Sequence, residues 1–246
     1  VGTLFISDLH LGPEQPQLSA AFRHFLATLA PLPDAFYILG DLFDRWIGDD
    51  DDAPWITPIA DALRALSDAG VAVSLMHGNR DFLLGTAFCE RVGAKLLPDP
   101  CVLEHRGLRL LLTHGDALCT DDLAYQAYRR GVRDPVWQSG VLALPLAERR
   151  LLAAQLREAS DLASTGKSMA IMDVATPAVA SLAEVYAPDA IIHGHTHRPG
   201  RVAATQDVCC PRYVLGDWRV QASATEAVVL RLEIGTLNLD KITINQ

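Results

Sequence analysis

Ile38-Leu39-Gly40-Asp41-Leu42-Phe43-Asp44 is an apolar run that stops at a glycine and a carboxylate. A buried strand ending in Gly-Asp sets a carboxylate at the carboxyl edge of a sheet, where open α/β folds collect their ligands. Upstream, Ala35 to Leu39 reads as strand, and Pro31 and Pro33 close a helix over Gln17 to Leu29 whose apolar stripe is Leu18, Phe22, Phe25, Leu26 and Leu29. Thr3 to Ile6 is an earlier strand running into Ser7-Asp8-Leu9-His10. This β-α-β order favours a parallel pair. Residues i and i+2 of extended chain face one side, so Asp8 and His10 can reach one metal ion.

Downstream the same punctuation recurs. A helix over Trp55 to Asp68 leads to a strand, Val71 to Met76, which closes on His77-Gly78-Asn79-Arg80-Asp81. Cys101 to His105 and Leu108 to Thr113 flank Arg106-Gly107 as a hairpin, and the second strand closes on His114-Gly115-Asp116. Between Thr120 and Tyr186 strand signals give way to helical patterning, and the sheet resumes at Ala190-Ile191-Ile192, closing on His193-Gly194-His195-Thr196-His197. Strands near Arg212 to Leu215, Ala227 to Ile234 and Lys241 to Ile244 finish the chain. The expected architecture is α/β: one layered domain over 1–246 with a helical insertion over 120–186.

Composition bounds the partners. A net charge of -9 argues against nucleic acid as the main partner, although four of those charges sit together in Asp49 to Asp52, which reads as a solvated loop. Mean hydropathy of +0.16 and the absence of an apolar run of roughly 18 to 20 residues describe a globular protein that does not span a bilayer as a helix. Five cysteines without a C-x-x-C pair are no disulfide framework, and the chain starts on a strand without an apolar leader, so a cytoplasmic location is expected.

Five segments now carry metal-type ligands in the order D-x-H, G-D-x-x-D, G-N-R-D, H-G-D and G-H-T-H. Each alone is a capped turn; together they resemble the calcineurin-like metallophosphoesterase superfamily over nearly the whole chain. The resemblance implies a β-sandwich flanked by helices and holding two metal ions. Asp8, His10, Asp41 and His197 would hold one ion, and Asp41 would bridge to a second held by Asn79, His114 and His195. A mixed oxygen and imidazole set without thiolate suits Mn²⁺, Fe²⁺ or Zn²⁺. Two ions roughly 3.5 to 4 Å apart can clamp a phosphoryl group and acidify water. On this reading Asp41, Asn79, Arg80, His114 and His195 are the catalytic group.

Within that superfamily, Asp41-Leu42-Phe43-Asp44 with Trp46, Gly78-Asn79-Arg80-Asp81-Phe82-Leu83, Leu118-Cys119-Thr120-Asp121-Asp122, and Lys167-Ser168 ahead of Ile171-Met172-Asp173-Val174 are similar to the family that cleaves UDP-2,3-diacylglucosamine in lipid A biosynthesis. That similarity implies water attack at the phosphorus next to uridine, giving UMP and 2,3-diacylglucosamine 1-phosphate, with two Mn²⁺ ions per chain. It also implies substrate contacts from Asn79, Arg80, Asp122, Ser160, Ser164, Lys167 and His195, with Ser164 standing where a larger polar residue such as asparagine is common. Contact with the inner face of the cytoplasmic membrane is expected, and no obligate protein partner.

The insertion supplies apolar surface from Leu142, Leu144, Leu146, Leu151, Leu152 and Leu156 and cations from Arg129, Arg130, Arg133, Arg149, Arg150 and Arg157. Leucines can shelter acyl chains, and arginines can meet phosphate or anionic headgroups. Mutual packing of the helices is the plainer use of the leucines. His77 and His193 are expected in buried supporting roles, and Arg80 either stabilises phosphoryl charge or pairs with Asp81. The alternatives to the acylated sugar nucleotide are a general nucleotide or phosphodiester hydrolase, and a metal-binding scaffold without activity.

Overall fold

The computed structural model describes residues 2–105, 107–164 and 171–245, without the side chains of 161 and 164. Strand β1 (Thr3–Ile6) pairs in parallel with β2 (Ala35–Leu39), placing Phe5 opposite Tyr37 and Ile6 opposite Ile38. β3 (Ala72–Met76) and β4 (Ala94–Leu97) extend the parallel run. The crossovers are α1 (Pro16–Thr28), α2 (Ile56–Asp68) and α3 (Thr86–Val92). Pro16 opens α1, where its missing N–H costs nothing, and Leu18, Phe22, Phe25 and Leu26 form the buried stripe. The parallel strands therefore leave their carboxyl ends along one edge.

The second sheet begins with the hairpin β5 (Cys101–His105) and β6 (Leu108–Leu112). Three lid helices follow: α4 (Leu123–Val132), α5 (Pro135–Leu142) and α6 (Leu146–Ser164). Then α7 (Thr176–Tyr186) returns the chain to β7 (Ala190–His193), parallel to β6. With β8 (Gly200–Val202) and β9 (Arg212–Val214) the order is β5-β6-β7-β9-β8. The chain ends in β10 (Arg219–Gln221), β11 (Ala224–Glu233) and β12 (Thr236–Asn245), where β11 pairs antiparallel with β1 and completes a seven-stranded first sheet.

Period-two alternation decides how the layers stack. In β1, Phe5 joins Leu39, Met76, Leu110, Leu112, Ile192 and Leu230 in the core between the sheets, while Leu4 and Ile6 face α1 and α2 on the outer side. Both faces of β1 are buried, so its sequence is an uninterrupted apolar run rather than an alternation. On the outer face of the second sheet, Val179 and Ala183 of α7 pack against Leu111 and Ile191. The 120–186 stretch thus holds two kinds of helix: α4 to α6 cover the sheet edge, and α7 is an ordinary crossover.

Sequence reading leaves α3, β4, β8 and β10 unassigned. β4, β8 and β10 are as short as β1 and β7 but lack the glycine-and-ligand ending or the apolar run that marks those, and α3 is recognisable only by its end, Gly93 in the left-handed region at φ 68.

Candidate metal centre and its lid

The carboxyl ends of β1, β2, β3, β6 and β7 deliver the five motifs to one place. The turns that do so are strained: Asp8, His10, Asp41, His195 and His197 all have φ between 51 and 68. A side-chain-bearing residue in that region costs on the order of 1 kcal/mol or more, and such positions concentrate at functional sites. Two glycines permit the close approach. A Cβ on Gly78 would lie 1.9 Å from Asp41 Oδ1, and one on Gly40 would lie 2.5 Å from His114 Nδ1 and 2.7 Å from Gly78 Cα. The loops are tied by His10 N donating to Asp41 O (2.9 Å) and Asp8 N to Gly40 O (3.1 Å).

The seven expected ligands form an unbroken chain of near contacts. Asp8 Oδ1 lies 3.5 Å from His197 Nε2, which is 3.1 Å from His10 Nε2. His10 Nδ1 is 3.7 Å from Asp41 Oδ2, and that oxygen is 3.8 Å from His114 Nε2. His114 Nε2 then approaches Asn79 Oδ1 at 3.0 Å, and His195 Nδ1 approaches the same oxygen at 2.8 Å. Asp41 Oδ2 therefore sits midway between the two groups of donors. Asp8 reaches both as well: its ligand atoms lie within 4.8 Å of those of His10 and His197, and of those of Asp41 and His114.

Electrostatics fit divalent cations here. Burial opposes charge on His114, yet the carboxylates of Asp41, Asp8 and Asp116 outweigh it and lift the imidazole to about 9. Burial also opposes charge on His197, but hydrogen bonding to Asp217 and Asp8 raises it to about 10. Asp41 is pushed up to about 7 by burial, against the pull of His114 and with the help of Asp81 and Asp8. The carboxylates thus favour positive charge at this spot, and a divalent ion would take the place of those protons. His10 falls to about 3 and His195 to about 4, both chiefly through burial, which keeps them as neutral lone-pair donors.

Tautomers agree with that use. His114 Nδ1 donates to Leu39 O at 2.9 Å, which leaves Nε2 turned toward Asn79 and Asp41. The buried Nδ1 of His10 has no protein partner. Oxygen and imidazole donors without thiolate match Mn²⁺, Fe²⁺ or Zn²⁺, so the residues fit a pair of such ions.

Several supporting residues escaped the sequence reading. Asp217 lies 3.4 Å from His197 Nδ1, a carboxylate orienting the imidazole. Its signal was present: Val214-Leu215-Gly216-Asp217 repeats the pattern of an apolar strand end followed by Gly-Asp. Asp81 does not pair with Arg80 but accepts from the backbone N–H groups of Gly78 (2.7 Å), Asp41 and Phe43 (both 3.3 Å), clamping two ligand loops together. Arg80 instead reaches Asp44 (3.1 Å) and lies 3.9 Å from Asp41 Oδ2. His77 is hydrogen-bonded to Leu84 O, and His193 lies between Gly194 O and the Arg212 guanidinium; both are structural.

Beside the metal cluster opens a cavity of about 590 Å³. Asp41, Asn79, Arg80 and His195 form its polar end, and Phe82, Leu83, Trp137, Val141, Leu152 and Leu156 line its apolar length. Leu152 and Leu156 are thus the lid leucines that face inward, whereas Leu142 and Leu151 are exposed. Of the expected substrate contacts, Asp122 and Ser160 line the cavity, and Asp122 also caps α4 by accepting from Tyr125 N at 3.1 Å. Lys167 and the side chain of Ser164 lie outside the described residues.

The acidic run is a loop whose Asp50 and Asp52 are exposed as expected, but all four carboxylates are engaged. Asp49 accepts from Trp46 Nε1, Gly85 N and Phe88 N, fixing the start of α3. Asp50 takes both terminal nitrogens of Arg149, whose side chain is only 3% exposed and also donates to Ile47 O (2.6 Å) and Leu144 O (3.0 Å). Asp51 and Asp52 share Arg150. At the lid's root, Asp116 accepts from Tyr125 Oη and Arg129 Nε, both at 2.8 Å, and Arg133 donates to Gly78 O. Arg157 lies 3.6 Å from Asp44 as well, so five of the six lid arginines expected to meet phosphate or headgroups have partners on the core.

Comparison with known proteins agrees with the geometry. The calcineurin-like phosphoesterase family matches residues 2–199. The chain is 50% identical over 228 residues to a UDP-2,3-diacylglucosamine hydrolase of Cellvibrio japonicus, covering 92% of this chain and 95% of that protein. It is 45% identical to the protein of the same name from Stenotrophomonas maltophilia, covering 98% of each, and 48% identical to that of Escherichia coli, covering 95% and 98%.

Proposed function

The chain belongs to the calcineurin-like phosphoesterase family, among its UDP-2,3-diacylglucosamine hydrolases, and we propose that it hydrolyses the pyrophosphate of UDP-2,3-diacylglucosamine to UMP and 2,3-diacylglucosamine 1-phosphate. The observation that carries this reading is the apolar cavity opening directly onto the ligand cluster. A hydrolase of simple phosphodiesters has no use for a leucine- and tryptophan-walled chamber, whereas an acylated sugar nucleotide presents both a phosphate and two apolar chains.

Asp8, His10, Asp41 and His197 would hold one Mn²⁺, and Asp41, Asn79, His114 and His195 the second. When bound, the ions would lend Lewis acidity to the phosphoryl group and acidify water for attack at the α-phosphorus. The protein's own groups do the rest. Arg80, next to Asp41, neutralises charge growing on the phosphoryl oxygens. Asn79 and His195, held against each other, orient the phosphate, while Asp122, Ser160, Ser164 and Lys167 bind the glucosamine side. The lid covers the acyl chains and keeps bulk water off the reacting centre.

Among the described residues no helix is long and apolar enough to cross a membrane. The acyl chains of the proposed substrate would draw the enzyme to the inner face of the cytoplasmic membrane, and the exposed Leu123 and Leu162 support a reading of peripheral contact there. The test is incubation of the purified protein with UDP-2,3-diacylglucosamine and Mn²⁺, with UMP release expected. No release, or cleavage of bis(p-nitrophenyl) phosphate with no preference for the acylated substrate, would overturn the assignment.

A further inference from the structure

A second cavity, of about 270 Å³, is bounded by His10 and adjoins the apolar chamber. Its walls are His10, Gly12, Glu14, Gln15, Arg45 and Arg157 together with Asp44. None of these is a leucine, valine, phenylalanine or tryptophan such as line the first chamber, and every side chain on the wall ends in a polar or charged group, so the cleft suits a polar ligand better than an acyl chain. Asp44, Arg45 and Arg157 border both cavities, which therefore meet beside the ligand cluster. A ligand whose phosphorus lies over that cluster has an apolar exit on one side and a polar exit on the other.

We infer that the polar cleft receives the nucleoside monophosphate half of the substrate, an assignment that rests on the proposed hydrolysis of a sugar nucleotide. The two products of that reaction differ in the same way as the two cavities. Arg45 pairs with Glu14 across the mouth and presents a planar guanidinium suited to phosphate or to a pyrimidine face. Gln15 precedes α1 without its side chain capping the helix, which leaves its amide to donate and accept with ribose or the uracil edge. Gly12 is buried on the cleft wall, and its backbone lies outside the left-handed region, so a side chain there meets no conformational barrier. A Cβ would come 3.3 Å from Glu14 Oε2, the far end of a flexible side chain, and 3.8 Å from Asp44 Cβ. Gly12→Leu therefore extends a side chain from the cleft wall, with folding checked by circular dichroism and by retained Mn²⁺ binding.

The experiment measures UMP binding by calorimetry in the presence of Mn²⁺, and product inhibition of UDP-2,3-diacylglucosamine hydrolysis, for the wild type, Arg45→Ala and Gly12→Leu. Both variants are expected to weaken UMP binding roughly tenfold, the size of one charge-assisted contact or a blocked subsite. Inhibition by 2,3-diacylglucosamine 1-phosphate should stay unchanged in Gly12→Leu, whose site borders the polar cleft alone, and the comparison of the two products is made in that variant. Unaltered UMP affinity in both variants, or equal loss of affinity for both products, overturns the assignment. Absence of hydrolysis in the wild type, with UMP binding still dependent on Gly12, would remove the proposed reaction and leave the nucleotide cleft standing.

Discussion

The ligand rim and the lid face each other across one cavity and are held in opposite ways. The rim is made of strand-end turns whose ligands are locked by backbone hydrogen bonds, by the Asp81 clamp and by glycines at van der Waals limits. The lid is three helices fastened by a handful of ion pairs, Arg149–Asp50 and Arg150–Asp51 at its tip and Arg129–Asp116 at its root. A rim of this kind can hold strained φ values because the sheets over-determine it. The helices of the lid are held by side chains instead, these ion pairs together with Val132 and Val141 packed into the main core, so their placement rests on few residues.

The difference predicts where activity and affinity separate. Asp41→Ala strikes the rim at the oxygen lying between both donor groups, so turnover should fall by at least about a thousandfold, together with bound Mn²⁺ measured by atomic absorption. Near-normal kcat in that variant would dismiss the bridging role. Asp217→Ala removes only the group behind His197, and metal affinity should drop about 10- to 100-fold while saturating Mn²⁺ restores most of kcat. Failure of excess Mn²⁺ to rescue would place Asp217 among the ligands themselves.

Arg149→Met attacks the lid instead. KM for the acylated substrate should rise about tenfold, with kcat for bis(p-nitrophenyl) phosphate little changed, because the chamber wall loosens while the rim is untouched. Equal loss on both substrates would mean that lid and rim are one unit.

The same latch has a sign in pH. The hydrogen bond from Arg149 holds the Asp50 carboxyl below its ordinary 3.8. Its contribution is complete above about pH 4 and is lost as pH falls through the depressed value. Limited proteolysis in the α5–α6 region should therefore accelerate below pH 4 in the wild type and be less dependent on pH in Asp50→Asn. The smallest effect belongs to strain in the rim. His10→Gly relieves a left-handed φ of 51 and removes a buried nitrogen without a partner, so the metal-free protein should melt about 2–4 °C higher while losing activity. A lower melting temperature would show that contact of His10 with His197 outweighs the strain.

Much of the rim was legible in the chain because its signal is local. Apolar strand, glycine and ligand follow one another within four or five residues at Ile38–Asp41, Leu75–Asn79 and Ile191–His195. At Val214–Asp217 the strand is legible but its Gly-Asp end is not, because Asp217 is followed by Trp218 and Arg219 rather than by a second ligand-type residue. The lid's fastening was illegible for a different reason. Arg149 and Asp50 are 99 positions apart, and an acidic run beside an aromatic loop has the composition of a solvated surface. Nothing local distinguishes an arginine that meets phosphate from one that meets Asp50. The use of Asp81 was likewise invisible, since its partners are backbone groups from two other turns.

By itself, then, the sequence determined the layered α/β class, the parallel β1–β2 pair, the ligand types and the strand ends that carry them, because each depends on periodicity or adjacency along the chain. Tertiary structure decided which carboxylate stands between the two donor groups, which lid leucines face inward, which arginines are already engaged, and that a polar cleft adjoins the apolar chamber. Those outcomes depend on distances between residues remote in sequence. Only the closing of the two sheets and the docking of α4 to α6 sets them.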